Sequence, residues 1–525
     1  KEYTISFCTQ LSKLRKSKII VLEDKLKTLC KGDDLQAKQI KNELNLLYSS
    51  ASKGAQIRSR ARYVAEGEKN TKYFLGLEKQ RQKCSTIKVL RDDKHTCTTD
   101  EDLLNMAADF YDKLYSSCNP EKNDIANYLQ NIKNCKKLSS NQRESIEGKI
   151  SISEASKAVK MLKRNKSPGL DGITAEFYQK FWKKISHIIT GSFNESYSDL
   201  QLSESQRTAI ISLIFKKGDA ELLKNYRPIS VTNSDYKILA FCLANRIQTV
   251  ISDIIHPGQV AYIHGRFIGS NIRLIQDTIE YFDTSKKGGI MMMLDFCKAF
   301  DSLEWEFIFQ VLEHFNFGVS LISWIKTLYN DPIAHIKNNG HLSRAVHLER
   351  SVRQGCPVSA LLFILSVEIL AIKIREDNEI KGFDIPGSTD VLKIVQYADD
   401  GVVFCNNLLE LDKTIELIKT FGNIAGTQLN LSKCEGLWLG TFKQRQQGCN
   451  YFDIKWPLEP IRCLGIYIGH DKDQTYFLNW TKKLEDIETL LHSWKKRELT
   501  LFGKISVLKQ LALPKILFSM SMLYT

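Results

Sequence analysis

The stretch Val391-Leu392-Lys393-Ile394-Val395-Gln396-Tyr397-Ala398-Asp399-Asp400-Gly401-Val402-Val403-Phe404 sets two adjacent carboxylates between apolar runs. Apolar strands that turn around such a pair make a hairpin with buried legs and an acidic tip. About 100 residues upstream, Met291-Met292-Met293-Leu294 runs into Asp295 and then Phe296-Cys297-Lys298-Ala299-Phe300-Asp301, so a second buried strand also ends on a carboxylate. Carboxylates carried by separate strands can converge on two divalent cations about 3.5–4 Å apart, the clamp used for in-line displacement at phosphorus. Neighbouring like charges repel, and burying them is costly unless a cation compensates. The tip holds no His or Cys, so an all-oxygen site fits Mg2+ or Mn2+ rather than zinc.

The chain around these acids is long, and 525 residues exceed what one hydrophobic core usually serves, so several subdomains are expected. No apolar stretch approaches the roughly 18 residues that span a bilayer, and no signal peptide opens the chain, so neither a membrane nor secretion is expected. Residue 1 is Lys and the apolar C-terminal stretch stops abruptly, so both ends read as cuts in a longer polypeptide. The net charge of +14 is uneven, with 22 Lys and Arg against 12 Asp and Glu in residues 1–100. A basic end suits a polyphosphate partner, although a solvated helical surface has the same composition. The 13 cysteines are odd in number and lack a Cys-x-x-Cys pair, which argues against a disulfide framework or zinc site and fits a reducing compartment.

Residues 11–48 carry apolar side chains at helical spacing, interrupted at Lys31-Gly32-Asp33-Asp34, and predict a helical hairpin. Arg58, Arg60 and Arg62, followed by Lys69 and Lys72 among aromatics, could grip a nucleic-acid backbone and stack bases. Residues 102–182 look helical, broken at Ser167-Pro168-Gly169-Leu170-Asp171-Gly172, where a turn would let the backbone approach a ligand. Ala209 to Phe215 reads as a strand and Tyr236 to Val250 as a helix. Asn338-Asn339-Gly340 between apolar runs predicts a hairpin, and Ala360 to Ile374 a helix apolar nearly all round, hence buried. A further helix is expected over residues 408–423, short strands over 455–470, and a mostly helical end with a break at Pro514. Strands and helices mix without regular alternation, which predicts an α+β fold with a palm-like sheet backed by helices.

In their order the motifs resemble the reverse transcriptases of LINE-type (non-LTR) retrotransposons. The matching strings are Ser167 to Gly172, Tyr226-Arg227-Pro228-Ile229-Ser230, Leu243-Ala244-Asn245-Arg246-Ile247, Leu294-Asp295 through Asp301, Arg353-Gln354-Gly355-Cys356-Pro357, the Tyr397 hairpin and Cys463-Leu464-Gly465. The resemblance implies a right-hand polymerase with a helical N-terminal extension over residues 1–95 and fingers over 96–284. It implies a palm over 285–470, with a fingers hairpin near 331–355, and a partial thumb over 471–525. Asp295, Asp399 and Asp400 resemble the catalytic, metal-binding acids, with Asp400 the one that tunes the site. Phe300 resembles the steric gate against a ribose 2′-OH. Lys216 and Arg227 resemble cations that hold the triphosphate, with Lys217 an open alternative to Lys216. Gln354 and Gly355 resemble the turn that packs on the nascent pair, and Leu464 and Gly465 the primer grip. Lys433 resembles a group that protonates pyrophosphate, and a solvated surface lysine is the equal alternative. Pro168 and Gly169, with the basic residues 58–72, would contact template.

The implied activity is RNA-templated DNA synthesis on a DNA primer by target-primed reverse transcription, with two Mg2+ ions (or Mn2+) and dNTPs. RNA template and chromosomal DNA would be partners, in nucleus and cytoplasm. The endonuclease and a C-terminal zinc knuckle would lie in missing flanks. A group II intron or retron-type reverse transcriptase is the rival enzyme. A decayed or domesticated element acting as an RNA-binding scaffold is the rival of another class.

Overall fold

Both faces of the Met-rich strand are covered, which is why its sequence is apolar without alternation. Gly288–Leu294 is an inner strand of a four-stranded antiparallel sheet, in the order Ile394–Tyr397, Asp400–Cys405, Gly288–Leu294, Glu435–Gly440. Ile290, Met292 and Leu294 face one core with the helices Ser359–Glu376 and Leu408–Ala425, while Met291 and Met293 face a second core with the helix Ile268–Thr284. The helix Ser359–Glu376 is buried on nearly every side, as its all-round apolar sequence requires.

The computed structural model describes residues 2–28, 36, 39–48, 86–92, 95–387, 390–446, 453–458, 460–495 and 499–523. Mixed helix and sheet, the α+β class expected from the sequence, is what these residues form. A second four-stranded sheet runs Tyr226–Val231, Thr208–Phe215, Ile333–Asn338, His341–His347. Its inner strands Thr208–Phe215 and Ile333–Asn338 are parallel, and Pro228 lies in an edge strand, where its missing N–H costs no ladder bond. Asn339 and Gly340, both at positive φ, turn the hairpin between its last two strands. The helix Asp100–Tyr115 packs on this sheet and starts at Thr99, whose hydroxyl accepts from the Asp102 amide at 3.2 Å.

Near the N-terminus, the helix Glu2–Thr28 and helical residues 39–48 touch through Lys18 and Glu43 at 2.6 Å and through Tyr48 and Glu23. The expected break at Pro514 does not occur: residues 501–522 are helical throughout, and a π-helical turn, Leu508–Ala512, precedes the proline and accommodates it. The nine cysteines with described side chains are free thiols, and Cys242, Cys356, Cys405, Cys434 and Cys463 are buried. Among the described residues no helix is long and apolar enough to cross a membrane.

Arg246, from the Leu243-Ala244-Asn245-Arg246 string, is a latch inside the fold. It is 8% exposed, and its guanidinium donates to both Glu154 oxygens at 2.6 and 3.1 Å. It also donates to the carbonyls of Ile146 (3.2 Å), Gly148 (2.8 Å) and Lys149 (2.9 Å), which ties the segment before the helix Ile152–Met161 to the helix Ser234–Gln248. Arg246→Ala strands a carboxylate and three carbonyls, so chemical denaturation is expected to show a loss of about 3–5 kcal/mol. A loss smaller than that of an ordinary surface substitution would contradict the latch.

Candidate active site

The register of the first sheet brings the acids together. Gly401 pairs with Leu294, so one step further along the two strands Asp400 stands opposite Asp295. Tyr397 pairs with Asp400, leaving Ala398-Asp399 as a two-residue turn with Ala398 at φ +55. Asp399 and Asp400 present surface to solvent, yet burial is the main cause lifting both pKa values above the ordinary carboxylate range. Both facts hold for groups on the floor of an open concavity. Asp399 and Asp295 push the Asp400 carboxyl further, up to about 6, while Lys216 and Arg227 pull it back. The same cations oppose Asp295 at Asp399.

Lys216 and Arg227 come from the second sheet. Ile214 pairs with Arg227 and Phe215 with Tyr226, and the Lys216 amide donates to the Asn225 carbonyl at 3.0 Å, so both cations project from one end of a strand pair. Lys216, rather than Lys217, is the lysine whose charge reaches the two acids.

Hydrogen bonds through two short segments, 298–303 and 351–354, join the two sheets. Lys298, at φ +48, donates its Nζ to the Tyr226 carbonyl at 2.6 Å. The Val352 amide donates to the Phe300 carbonyl and the Ser351 amide to Leu303, each at 2.8 Å. The Ser230 amide donates to the Gln354 carbonyl at 2.8 Å. Gly355 has φ +106, and a Cβ there would stand 2.9 Å from the Ser230 carbonyl oxygen, so glycine lets these backbones meet. Phe300 lies on Phe363 with ring centroids 4.2 Å apart and planes 13° apart, which fixes the ring's attitude.

Other expected residues fall at varying places. Asn430 donates its amide to the Asp295 carbonyl at 2.8 Å, and the Lys433 amide donates to the Asn430 carbonyl at 3.0 Å, so exposed Lys433 sits on a turn tied to Asp295. Leu464 and Gly465, at φ +48 and +88, turn the hairpin Ile461–Cys463 to Ile466–Ile468. Burial raises the pKa of Cys463, and the nearby Asp400 adds to it, so this hairpin lies near the acids. Gly169 makes a close approach to Asn233, since a Cβ would sit 2.1 Å from Asn233 Oδ1. Pro168 is half-buried beside it. Arg58, Arg60, Arg62, Lys69 and Lys72 lie outside the described residues.

Three features escape a reading of the sequence. Gln259, 1% exposed, accepts with one oxygen from Ala261 (3.0 Å) and from Ala398 (3.1 Å), which pins its loop to the acidic turn. Asn271 donates to the Gly258 and Gln396 carbonyls, each at 3.0 Å, bracing the same contact. Asp301, 2% exposed, takes the Gln354 amide on both oxygens at 2.9 and 3.0 Å, and burial raises its pKa to about 7. Gln259 stands alone as a polar residue before the apolar Val260-Ala261, the one local sign that it serves a buried contact.

Among the described residues no group of three or more His, Cys, Asp and Glu stands in the arrangement of a ready metal site. Asp295, Asp399 and Asp400 offer only carboxylate oxygens as ligands. The oxygen-only donor set therefore fits a hard divalent cation.

Acids at strand ends faced by cations suit in-line displacement at phosphorus. Residues 214–468 match the reverse transcriptase (RNA-dependent DNA polymerase) family, which works with divalent metal ions. The "Transposon TX1 uncharacterized 149 kDa protein" of Xenopus laevis is 29% identical over 479 residues, 91% of this chain and 36% of that protein. The "Retrovirus-related Pol polyprotein from type-1 retrotransposable element R2" of Popillia japonica is 25% identical, covering 51% of this chain and 36% of the relative. The corresponding type-2 R2DM polyprotein of Drosophila melanogaster is 24% identical, covering 55% and 26%. The alignments thus span about a third of the length of these relatives, or less. Together they support a LINE-type reverse transcriptase domain with a polymerase fold.

Asp400 gives a pH test. Its carboxyl ionises near the ordinary 3.9 when unfolded and at about 6 in the fold, so the stability it contributes is full below the lower value and lost as pH rises through the upper. In a chelator, Tm is therefore expected to fall between pH 5 and 7.5, and Asp400→Asn to flatten the fall by roughly 1–3 °C. Adding Mg2+ or Mn2+ should raise Tm more at pH 7.5 than at pH 5. A cation effect independent of pH would contradict this electrostatic account.

Proposed function

We propose that this chain copies an RNA template into DNA from a DNA primer, as the reverse transcriptase part of a non-LTR retrotransposon protein that primes synthesis on its chromosomal target. The observation that carries the reading is the meeting of Lys216 and Arg227 with Asp399, Asp400 and Asp295 where the two sheets join. In this reading residues 285–470 act as palm, 96–284 with the hairpin near 331–355 as fingers, 471–525 as part of a thumb, and 1–95 as an N-terminal extension. The work would be done in the nucleus after synthesis in the cytoplasm, with other polyprotein domains supplying endonuclease and zinc-knuckle functions.

Asp295 and Asp399 would hold two Mg2+ ions, or Mn2+, with Asp400 tuning their charge. Bound there, the cations supply Lewis acidity that acidifies the primer hydroxyl and neutralises the triphosphate. Arg227 offers a planar fork and Lys216 a point charge to the triphosphate oxygens. Phe300, stacked on Phe363, leaves no space for a 2′-OH. Gln354, held by Asp301, and Gly355 pack against the nascent pair, while Leu464 and Gly465 hold the primer strand. Lys433 would protonate the departing pyrophosphate, with a solvated surface lysine as the equal alternative.

Primer extension on RNA with Mg2+ tests the reading. Asp399→Ala is expected to keep nucleic-acid binding and to lose at least about a hundredfold in extension rate. An intact chain that binds RNA but extends nothing would favour a scaffold. Phe300→Val is expected to raise ribonucleotide use relative to deoxynucleotides by roughly tenfold or more, and an unchanged ratio would remove the gate.

A further inference from the structure

Tyr262 has no role in the machinery above, yet the fold holds it beside the acids at a cost. It adopts φ +58, a left-handed conformation that a bulky L-residue avoids. Its neighbours Ala261 and Ile263 are buried, while Tyr262 is 51% exposed. Among the described residues no aromatic ring stacks on it and its hydroxyl has no hydrogen-bond partner. Strain, exposure and an unused ring together call for a ligand.

The position is fixed by the acidic turn itself. The Gln259 oxygen that accepts from Ala261, the residue before Tyr262, also accepts from Ala398, the residue before Asp399. The Val260 amide donates to the Gln396 carbonyl at 3.1 Å, and the Gln396 amide to the Gly258 carbonyl at 2.9 Å. Loop and hairpin therefore move as one body. Burial raises the pKa of the Tyr262 hydroxyl, and Asp399, Tyr397 and Asp400 raise it further. Gln259 pairs with Gln396 along the edge strand Ile394–Tyr397, whereas the cation-bearing sheet is tied on at Lys298, just beyond Asp295 on the inner strand Gly288–Leu294, so Tyr262 and the two cations approach the acids from different strands.

In-line displacement sets the attacking and leaving oxygens on opposite sides of the phosphorus. If the cations hold the departing pyrophosphate, the primer's 3′ end enters from the opposite side. We infer that Tyr262 is a substrate-contacting platform on which the terminal nucleoside of the primer strand packs, held in register with Asp399 by the shared Gln259 oxygen. This assignment rests on the polymerase reading of the site. A ring face accepts any base or sugar, so the platform serves alignment of the attacking 3′-oxygen without reading sequence.

The test uses the 525-residue chain in primer extension on RNA, with a second primer carrying 2-aminopurine at its 3′ end to report stacking. Tyr262→Gly removes the ring and accepts the positive φ without strain. It is expected to raise the KM for primer–template about tenfold or more, leave the KM for dNTP within about twofold, and relieve quenching of the terminal 2-aminopurine. Tyr262→Phe should retain parent values for all three. Tyr262→Leu, which keeps bulk without a π-face, covers the case of a glycine variant that does not fold, and should lose the quenching too. Parent-like primer KM and quenching in the folded glycine or leucine variant would overturn the platform, as would a phenylalanine variant as impaired as glycine. An inactive Asp399→Ala beside a parent-like Tyr262→Gly sinks the platform alone, whereas Asp399→Ala that extends normally sinks the polymerase reading.

Discussion

Three carboxylates share one end of a sheet whose two faces are both covered by core, and this like charge governs the surrounding structure. Burial on both faces leaves the strand ends as the only place where the sheet can meet solvent, and Asp295, Asp399 and Asp400 stand there. The energy that makes the strands rigid is ordinary burial of Ile, Val, Leu and Met, roughly 25 cal/mol per Å2 of apolar surface. Repulsion among the acids is small beside it, so the charges cannot splay the strands. Burial lifts the Asp399 and Asp400 pKa values, and the fold brings Lys216 and Arg227 from elsewhere to oppose that shift.

That second contribution depends on a few hydrogen bonds between segments far apart in sequence. Tyr226, Ser230, Phe300, Leu303, Ser351, Val352 and Gln354 are joined through backbone groups and the Lys298 ammonium. Each such bond is worth only about 0.5–1.5 kcal/mol net. Their effect lies in geometry, because they fix the distance between a sheet that carries cations and one that carries acids. Asp301 adds a buried carboxylate that holds one amide, Gln354, at the same junction.

Some residues that stand out in the sequence serve the scaffold. Arg246 satisfies three carbonyls and a carboxylate inside the helical region, and Gly169 admits Asn233 against the backbone. A charged or glycine residue in a motif can look like ligand chemistry when its partner is another part of the chain. Gln259 and Tyr262 show the converse. Their importance comes from the tie to Ala398 beside the acids, more than a hundred residues away, and apart from the lone polar Gln259 before Val260-Ala261 no local pattern records that contact.

By itself the sequence determined the alternation of strand and turn around Tyr397 to Asp400, the double burial of the Met291 strand, the Asn339-Gly340 hairpin and the buried helix that follows. These are properties of neighbours along the chain, where periodicity and turn chemistry act within a few residues. Only the tertiary structure decided the parallel pairing of Thr208–Phe215 with Ile333–Asn338, the register that sets Asp400 opposite Asp295, and the lysine that faces them. Lys216 and Lys217 are chemically equal as residue types, and Lys216 is set apart by its place directly after the strand Thr208–Phe215, where its amide is tied to the Asn225 carbonyl in the segment leading to Arg227.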